Sequence, residues 1–67
     1  MDKALLRSVM ALHGEKDRDL AYLLGISPQS FNSKINERNT EFKQGEIAAI
    51  RDHYQLTAEQ VSAIFFS

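Results

Sequence analysis

The stretch that decides the fold is Asp17-Arg18-Asp19-Leu20-Ala21-Tyr22-Leu23-Leu24-Gly25-Ile26-Ser27-Pro28-Gln29-Ser30-Phe31-Asn32-Ser33-Lys34-Ile35-Asn36. Its first part, residues 17–24, has acidic residues in the opening turn and leucines at helical spacing. These features predict a helix, which Gly25 ends. Ser27 and Pro28 predict the start of a second helix, running to about Asn36, because serine caps a helix N-terminus and proline fits the first helical position.

The two predicted helices are joined by the three-residue turn Gly25-Ile26-Ser27. A helix, a short turn that begins with glycine and a second helix form a helix-turn-helix unit. Ala21 is small enough for a close helix crossing, and Gly25 can adopt the positive φ of such a turn. Phe31 and Ile35 are four residues apart and predict the buried side of the second helix. We therefore expect a helix-turn-helix over about residues 17–36.

The rest of the chain contains three further helical segments and no alternation of apolar and polar residues typical of strands. Apolar residues at spacings of three and four predict a helix over residues 2–13, which Gly14 ends. Its apolar stripe consists of Leu5, Leu6, Val9 and Met10, with Leu12 nearby. Residues 44–54 predict another helix, and Thr57 begins a capping-box pattern that opens a last one through Ile64. Residues 37–43 predict a polar loop with Phe42 returning to the core. The expected fold is a compact all-α domain of five helices over residues 1–67.

Length and composition limit the possible functions. The chain has 67 residues, which allows one small domain with little room for a catalytic pocket. It has no cysteine, which excludes disulfides and thiolate metal sites, and its His13 and His53 are too far apart for a local metal motif. We therefore expect no enzyme activity, no cofactor and no metal. The absence of a long apolar run or of a signal-peptide pattern predicts a cytoplasmic protein without a membrane partner.

The exposed side of the predicted helix 28–36 suggests a function. Gln29 and Ser33 lie four residues apart, as do Asn32 and Asn36, and no acidic residue occurs from Ser27 through Asn36. Asparagine and glutamine can pair with an adenine edge in the major groove, and serine can contact any base. The residues predicted to read bases are Ser27, Gln29, Asn32 and Ser33. The alternative is an ordinary solvated helix face, because small domains commonly expose such residues.

Basic residues near this face are candidates for phosphate contacts, which supply affinity rather than sequence choice. Lys34 and Arg38 lie near the end of the helix, and Lys16 and Arg18 lie at the start of the preceding one. The net charge of −1, however, lacks the basic excess typical of a DNA-binding domain.

Several other residues have a structural interpretation. Tyr22 and Tyr54 are expected to be half-buried at the edge of the core, and both histidines to lie at the surface or at helix ends. The adjacent rings of Phe65 and Phe66 cannot share one narrow apolar stripe. Either one ring stays exposed and forms a dimer or partner contact, or it folds back onto the first helix.

The segment 19–36 resembles the helix-turn-helix of the lambda-repressor-like, Cro-type (XRE) family of small phage and prophage regulators. The similarity includes Leu20-Ala21, Leu24-Gly25-Ile26-Ser27, Phe31 and Lys34-Ile35-Asn36, and it extends through the later stretch from Phe42 to Phe66. It implies a five-helix domain that places its third helix in the major groove of double-stranded DNA. Members of this family are repressors or Cro-like switch proteins, usually homodimers on palindromic operators. The resemblance further implies base-facing positions at Ser27, Pro28, Gln29, Asn32 and Ser33, and phosphate-facing positions at Asn36 and near Asp17.

Three features depart from the family pattern. Lys16 and Asp17 stand where members often have a Ser or Thr cap followed by Gln, so that an acid approaches phosphate unless Lys16 and Arg18 offset its charge. Glu37 replaces the glycine common after Asn36. Pro28 cannot read a base through a hydrogen bond.

Two functions follow as hypotheses. The first is a sequence-specific DNA-binding transcriptional regulator that reads the major groove with residues 28–36. Its phosphate contacts would come from Lys16, Arg18, Lys34, Asn36 and Arg38. The second is a protein-binding modulator or antirepressor of the same fold, which binds a partner repressor and alters its DNA binding. The acidic net charge and the apolar C-terminal segment motivate this alternative.

Overall fold

The computed structural model describes all 67 residues and contains five α-helices and no strand. The helices are α1 (Lys3–Leu12), α2 (Asp17–Leu24), α3 (Pro28–Ile35), α4 (Gln44–Tyr54) and α5 (Ala58–Phe65). The predicted all-α class is confirmed, and each predicted helix is present to within one or two residues at its ends. The loop predicted between α3 and α4 is also present. None of the five helices is both long and apolar enough to cross a membrane.

Local capping explains why these helices begin and end where they do. The Asp2 carboxylate accepts the backbone N–H of Leu5 at 3.0 Å and caps α1, which therefore begins one residue later than predicted. At α5, Thr57 and Gln60 form the predicted capping box, with distances of 3.1 and 2.8 Å. These side chains satisfy part of the unpaired N–H groups at the helix starts.

The core is one cluster to which every helix contributes. Its fully buried large side chains are Phe31, Leu6, Leu20, Ile35, Ile50 and Ile64. Phe42 enters it from the loop, as predicted, and its ring lies 5.6 Å from Phe31 and 5.7 Å from Phe65 between centroids. Ala21 is also buried, and α2 packs against α3. The two helices are thus fixed to each other by core packing as well as by their short connection.

Some predicted side-chain positions are wrong. Tyr22 is 90% exposed rather than half-buried, and Leu12, expected near the apolar stripe of α1, is 83% exposed. Both residues lie on the outward side of helices whose core contacts come from other positions, Leu6 and Met10 in α1 and Leu20 and Ala21 in α2. Tyr54 is buried more deeply than expected.

Candidate nucleic-acid interface

The relation between α2 and α3 is set by the turn that joins them. Gly25 has φ +68°, in the left-handed region that favours glycine, and ends α2. The Ser27 hydroxyl then accepts the backbone N–H of Ser30 at 3.1 Å, and Pro28 occupies the first turn of α3. In α3, the residues of the first turn are exposed, whereas Phe31 and Ile35 enter the core.

The outward side of α3 forms one open, polar concave surface. All four residues predicted to read bases line it, together with Arg38 and Thr40 from the following loop and Asp17 from α2. Gln29 is exposed, whereas Asn32 and Ser33 are half-buried. We call this surface the α3 face. It is lined by Asp17, Ser27, Pro28, Gln29, Ser30, Asn32, Ser33, Lys34, Arg38 and Thr40.

Asp17, the one carboxylate on the α3 face, is engaged by two partners. Its Oδ1 accepts from Arg7 Nη1 at 2.7 Å, and its Oδ2 accepts from Asn32 Nδ2 at 3.4 Å. The Arg7 guanidinium, and next the Asn32 amide, lower the pKa of the Asp17 carboxyl against the opposing effect of partial burial. The charge of Asp17 is therefore offset by Arg7 of α1, and not by the neighbouring Lys16 and Arg18 that the sequence suggested.

Asn36 connects the end of α3 to α1. Its Nδ2 donates to the Asn32 backbone oxygen at 2.9 Å and to Asn32 Oδ1 at 3.2 Å. Its Oδ1 accepts from Lys3 Nζ at 2.8 Å. Asn36 thus has internal partners for both ends of its amide, and Lys3 adds a cation beside this end of α3. The sequence did not single out Lys3 or Arg7, because nothing local in α1 indicates the contacts of Arg7 with α2 and of Lys3 with the end of α3.

Lys34 does not have the exposed position that a phosphate contact needs. It is only 8% exposed, its Nζ lies 3.2 Å from Glu46 Oε1, and it donates to the Glu41 backbone oxygen at 3.2 Å. Its long side chain points from α3 toward α4, where its charge is paired. This placement argues against the predicted role of Lys34 at a phosphate.

The other basic candidates are exposed at two separate places. Arg38 lies on the α3 face, where its backbone N–H donates to the Ser33 oxygen at 2.9 Å. Lys16 and Arg18 border a shallow neighbouring depression at the start of α2, which also includes Pro28 and Asp17. Since none of these three side chains forms an ion pair, their charges are available to an external anion.

A second polar cluster lies at the end of α4. His53 Nε2 is 2.9 Å from Glu15 Oε1, and the Tyr54 ring lies 4.7 Å from both the His13 and the His53 rings. The nearby Tyr54 hydroxyl and the His53 imidazole lower the pKa of the Glu15 carboxyl. Burial raises the pKa of Tyr54, whose buried hydroxyl forms no hydrogen bond that satisfies the distance and angle criteria. The histidines are surface residues, as predicted, but no local pattern in the chain indicated that they would meet around one tyrosine.

The C-terminal rings differ in their surroundings. Phe65 is half-buried against Phe42, whereas Phe66 is 69% exposed. Both line a cleft of about 460 Å³ that Ile47, Glu37 and Met1 also border. One of the two adjacent rings thus remains exposed in the monomer, which was one of the two predicted outcomes.

Comparison with known proteins finds no family model, no curated protein and no solved structure that matches this chain. The geometry of the site is therefore the basis for a functional assignment. No group of three or more His, Asp or Glu side chains converges in a way that could hold a metal ion.

Proposed function

We propose that this protein is a sequence-specific DNA-binding transcriptional regulator in which α2 and α3 form a helix-turn-helix. The observation that carries the proposal is the α3 face, which gathers Ser27, Gln29, Asn32 and Ser33 on one open polar surface. Its one carboxylate, Asp17, is paired with Arg7. A surface of amide and hydroxyl groups with little uncompensated negative charge suits the donor and acceptor pattern of a major groove.

The arrangement of α2 and α3 supports this reading of the surface. Gly25 ends α2 at a positive φ, Ser27 caps α3, and the residues of the first turn of α3 are exposed while Phe31 is buried. A helix that enters a major groove needs an accessible N-terminal turn, because its first residues contact the base edges. The resemblance to the lambda-repressor-like family is consistent with this arrangement and remains part of the proposal.

Some of the basic and polar candidates are free to bind phosphates, and others are held by partners within the protein. Lys16, Arg18 and Arg38 bind phosphates on either side of the groove, because they are exposed and unpaired. Lys34 is omitted from this group because it is buried against Glu46. Asn36 can donate to a phosphate only by giving up one of the two hydrogen bonds that its Nδ2 donates to Asn32.

The size of the domain is compatible with a homodimer on a palindrome. Its principal extents are 27 × 25 × 21 Å. Half-sites one turn apart are separated by about 34 Å, so two copies fit side by side on one face of the duplex. Bound in this way, the protein would regulate transcription in the cytoplasm by occluding a promoter.

Amide chemical shifts of the ¹⁵N-labelled protein test the proposed surface directly. A mixed-sequence duplex at low salt binds through phosphates whatever its sequence, so no operator needs to be known. We expect the shifts to concentrate at residues 27–33, at Arg38 and at the start of α2. Shifts that concentrate instead at α5, or no shifts at low salt, would contradict the assignment.

A protein-binding modulator is the second candidate, and the exposed apolar residues favour it. Phe66 is 69% exposed at the C-terminal cleft, and Tyr22 and Leu12 are 90% and 83% exposed on other helices. Such a modulator would bind a repressor or a second copy of itself through Phe66 and this cleft, and not through Tyr22. Sedimentation equilibrium of the wild type and of Phe66→Ser, with Tyr22→Ser as the matched control, tests the second-copy form. Self-association that only Phe66→Ser abolishes, in a protein that enriches no DNA sequence, would favour the modulator over the regulator.

A further inference from the structure

The orientation of the Asn32 side chain is fixed from α2. A carboxylate can only accept hydrogen bonds, so the atom of Asn32 that faces Asp17 Oδ2 at 3.4 Å must be the Nδ2 donor. The flipped amide would place its oxygen against the carboxylate, which is repulsive. Asp17 is itself anchored by Arg7 at 2.7 Å.

The same orientation is imposed from the other end. The Lys3 ammonium can only donate, so the Asn36 atom that it contacts at 2.8 Å must be Oδ1. Asn36 Nδ2 therefore points toward Asn32 and donates to its Oδ1 at 3.2 Å. Lys3 and Arg7 lie four residues apart on α1. From Lys3 each residue donates to the next as far as Asp17, which accepts from Asn32 on one side and from Arg7 on the other. The members of this chain of contacts are Lys3, Asn36, Asn32, Asp17 and Arg7.

The hydrogen-bonding capacity that Asn32 retains is also determined. Its Nδ2 carries two hydrogens and its Oδ1 two lone pairs, and one of each is used internally. One donor and one acceptor therefore remain unused within the protein. Adenine presents one acceptor and one donor in the major groove, N7 and N6–H, whereas guanine presents two acceptors.

We infer that Asp17 is a specificity-determining positioning residue, which orients Asn32 so that it pairs with adenine and rejects guanine. This inference rests on the proposed DNA-binding function and names the base that one residue of the α3 face selects. Asp17 itself needs no contact with DNA for this role. Asp17, which departs from the family pattern, thus contributes to the recognition of the DNA sequence.

Base preference in selected duplexes tests the role of Asp17 in recognition. Selections from a random pool are run with the wild type, Asn32→Ala, Asp17→Ala and Asp17→Asn, and Asp52→Ala serves as a control for carboxylate loss on α4. Asn32→Ala identifies the position that Asn32 reads. At that position we expect Asp17→Ala to lower the adenine-over-guanine preference roughly tenfold. Asp17→Asn keeps an oxygen acceptor in a side chain of the same size, so it should retain most of the adenine-over-guanine preference. Asp52→Ala should have the same preference as the wild type.

Two results would overturn the inference while leaving the proposed function intact. One is an unchanged adenine preference in Asp17→Ala. The other is an equal loss of preference in Asp17→Ala and Asp17→Asn with tighter binding to every duplex, which would show a general effect of charge. A wild type that enriches no sequence would instead refute the proposed function, and with it the reading of adenine.

A measurement without DNA tests the positioning step by itself. In the wild type, the Asn32 side-chain amide protons should be well separated in chemical shift, with one of them slow to exchange with water. Asp17→Ala should make both exchange rapidly, while the backbone spectrum of the core stays unchanged. Fast exchange of both protons in the wild type would contradict the positioning role, whatever the protein binds.

Discussion

The Lys34 ammonium lies 3.2 Å from the Glu46 carboxylate, and both side chains are largely buried where α3 meets α4. The same carboxylate oxygen accepts the Lys43 backbone N–H at 2.8 Å, which caps α4. One oxygen thus holds the start of α4 and the end of α3 together. As a result, the only formal charge between Ser27 and Asn36 is turned away from solvent, and the α3 face presents mainly neutral polar groups.

Lys34→Met should therefore destabilise the fold. It leaves the Glu46 carboxylate largely buried without its cation, and breaking a pair of this kind costs about 3 kcal/mol. The double variant Lys34→Met/Glu46→Gln should recover more than half of the loss, because the introduced amide oxygen can still accept the Lys43 N–H. Urea unfolding of the wild type, of each single variant (Lys34→Met and Glu46→Gln) and of the double variant measures these differences in the free energy of unfolding. The stabilising role of the Lys34–Glu46 pair would be ruled out if Lys34→Met were as stable as the wild type. It would also be ruled out if the double variant were no more stable than Lys34→Met.

Gln29→Ala should change recognition and leave stability almost unaltered. Gln29 is exposed on the α3 face and its side chain has no hydrogen-bond partner within the protein, so the free energy of unfolding should shift by less than about 0.5 kcal/mol. Discrimination at one base pair of the selected site should fall roughly tenfold. Gln44→Ala, an exposed change in the first turn of α4, is the control. Equal base preferences in the two variants would remove Gln29 from the proposed set of base-reading residues.

Arg38→Ala should weaken binding to all duplexes alike and reduce its salt dependence. A side chain that neutralises one phosphate contributes about −0.9 to the slope of log K against log salt concentration. The slope should therefore become less steep by about that amount, while the order of preferred sequences is retained. Arg51→Ala, an exposed arginine of α4 that pairs with Asp52, should keep the wild-type slope. A change in base preference in Arg38→Ala would argue for a base contact instead.

Asp17 should make stability depend on pH in the acidic range. The Arg7 guanidinium lowers the pKa of Asp17 below its ordinary value of 3.8. Its contribution to stability is therefore fully present above that value and is lost as the pH falls through the lower pKa of the folded state. The difference in Tm between the wild type and Asp17→Asn should shrink between about pH 5 and pH 2. A constant difference over that range would show that the contact with Arg7 does not depend on the charge of Asp17.

The sequence was sufficient for features that are set by local chemistry. The end of α2 and the start of α3 follow from Gly25, Ser27 and Pro28, each of which acts through its own backbone or the next turn. The burial of Phe31 and Ile35 follows from helical spacing. These signals need no knowledge of the rest of the chain.

Features that depend on distant partners were not predictable in this way. Lys34 looked like a free cation near a helix end, because its partner Glu46 belongs to another helix. Asp17 looked like an uncompensated acid for the same reason, since Arg7 comes from α1. Long charged side chains can turn toward any neighbour that the tertiary structure supplies, so their charge alone does not identify a binding role.

Selection from a random duplex pool near physiological salt, followed by salt titration of the enriched duplex, tests the central claim most directly. We expect the selection to enrich a palindrome with half-sites about one helical turn apart, and the affinity for it to fall steeply as the salt concentration rises. Retention that is weak, lost on modest addition of salt and indifferent to sequence would contradict a regulator that reads DNA with α3.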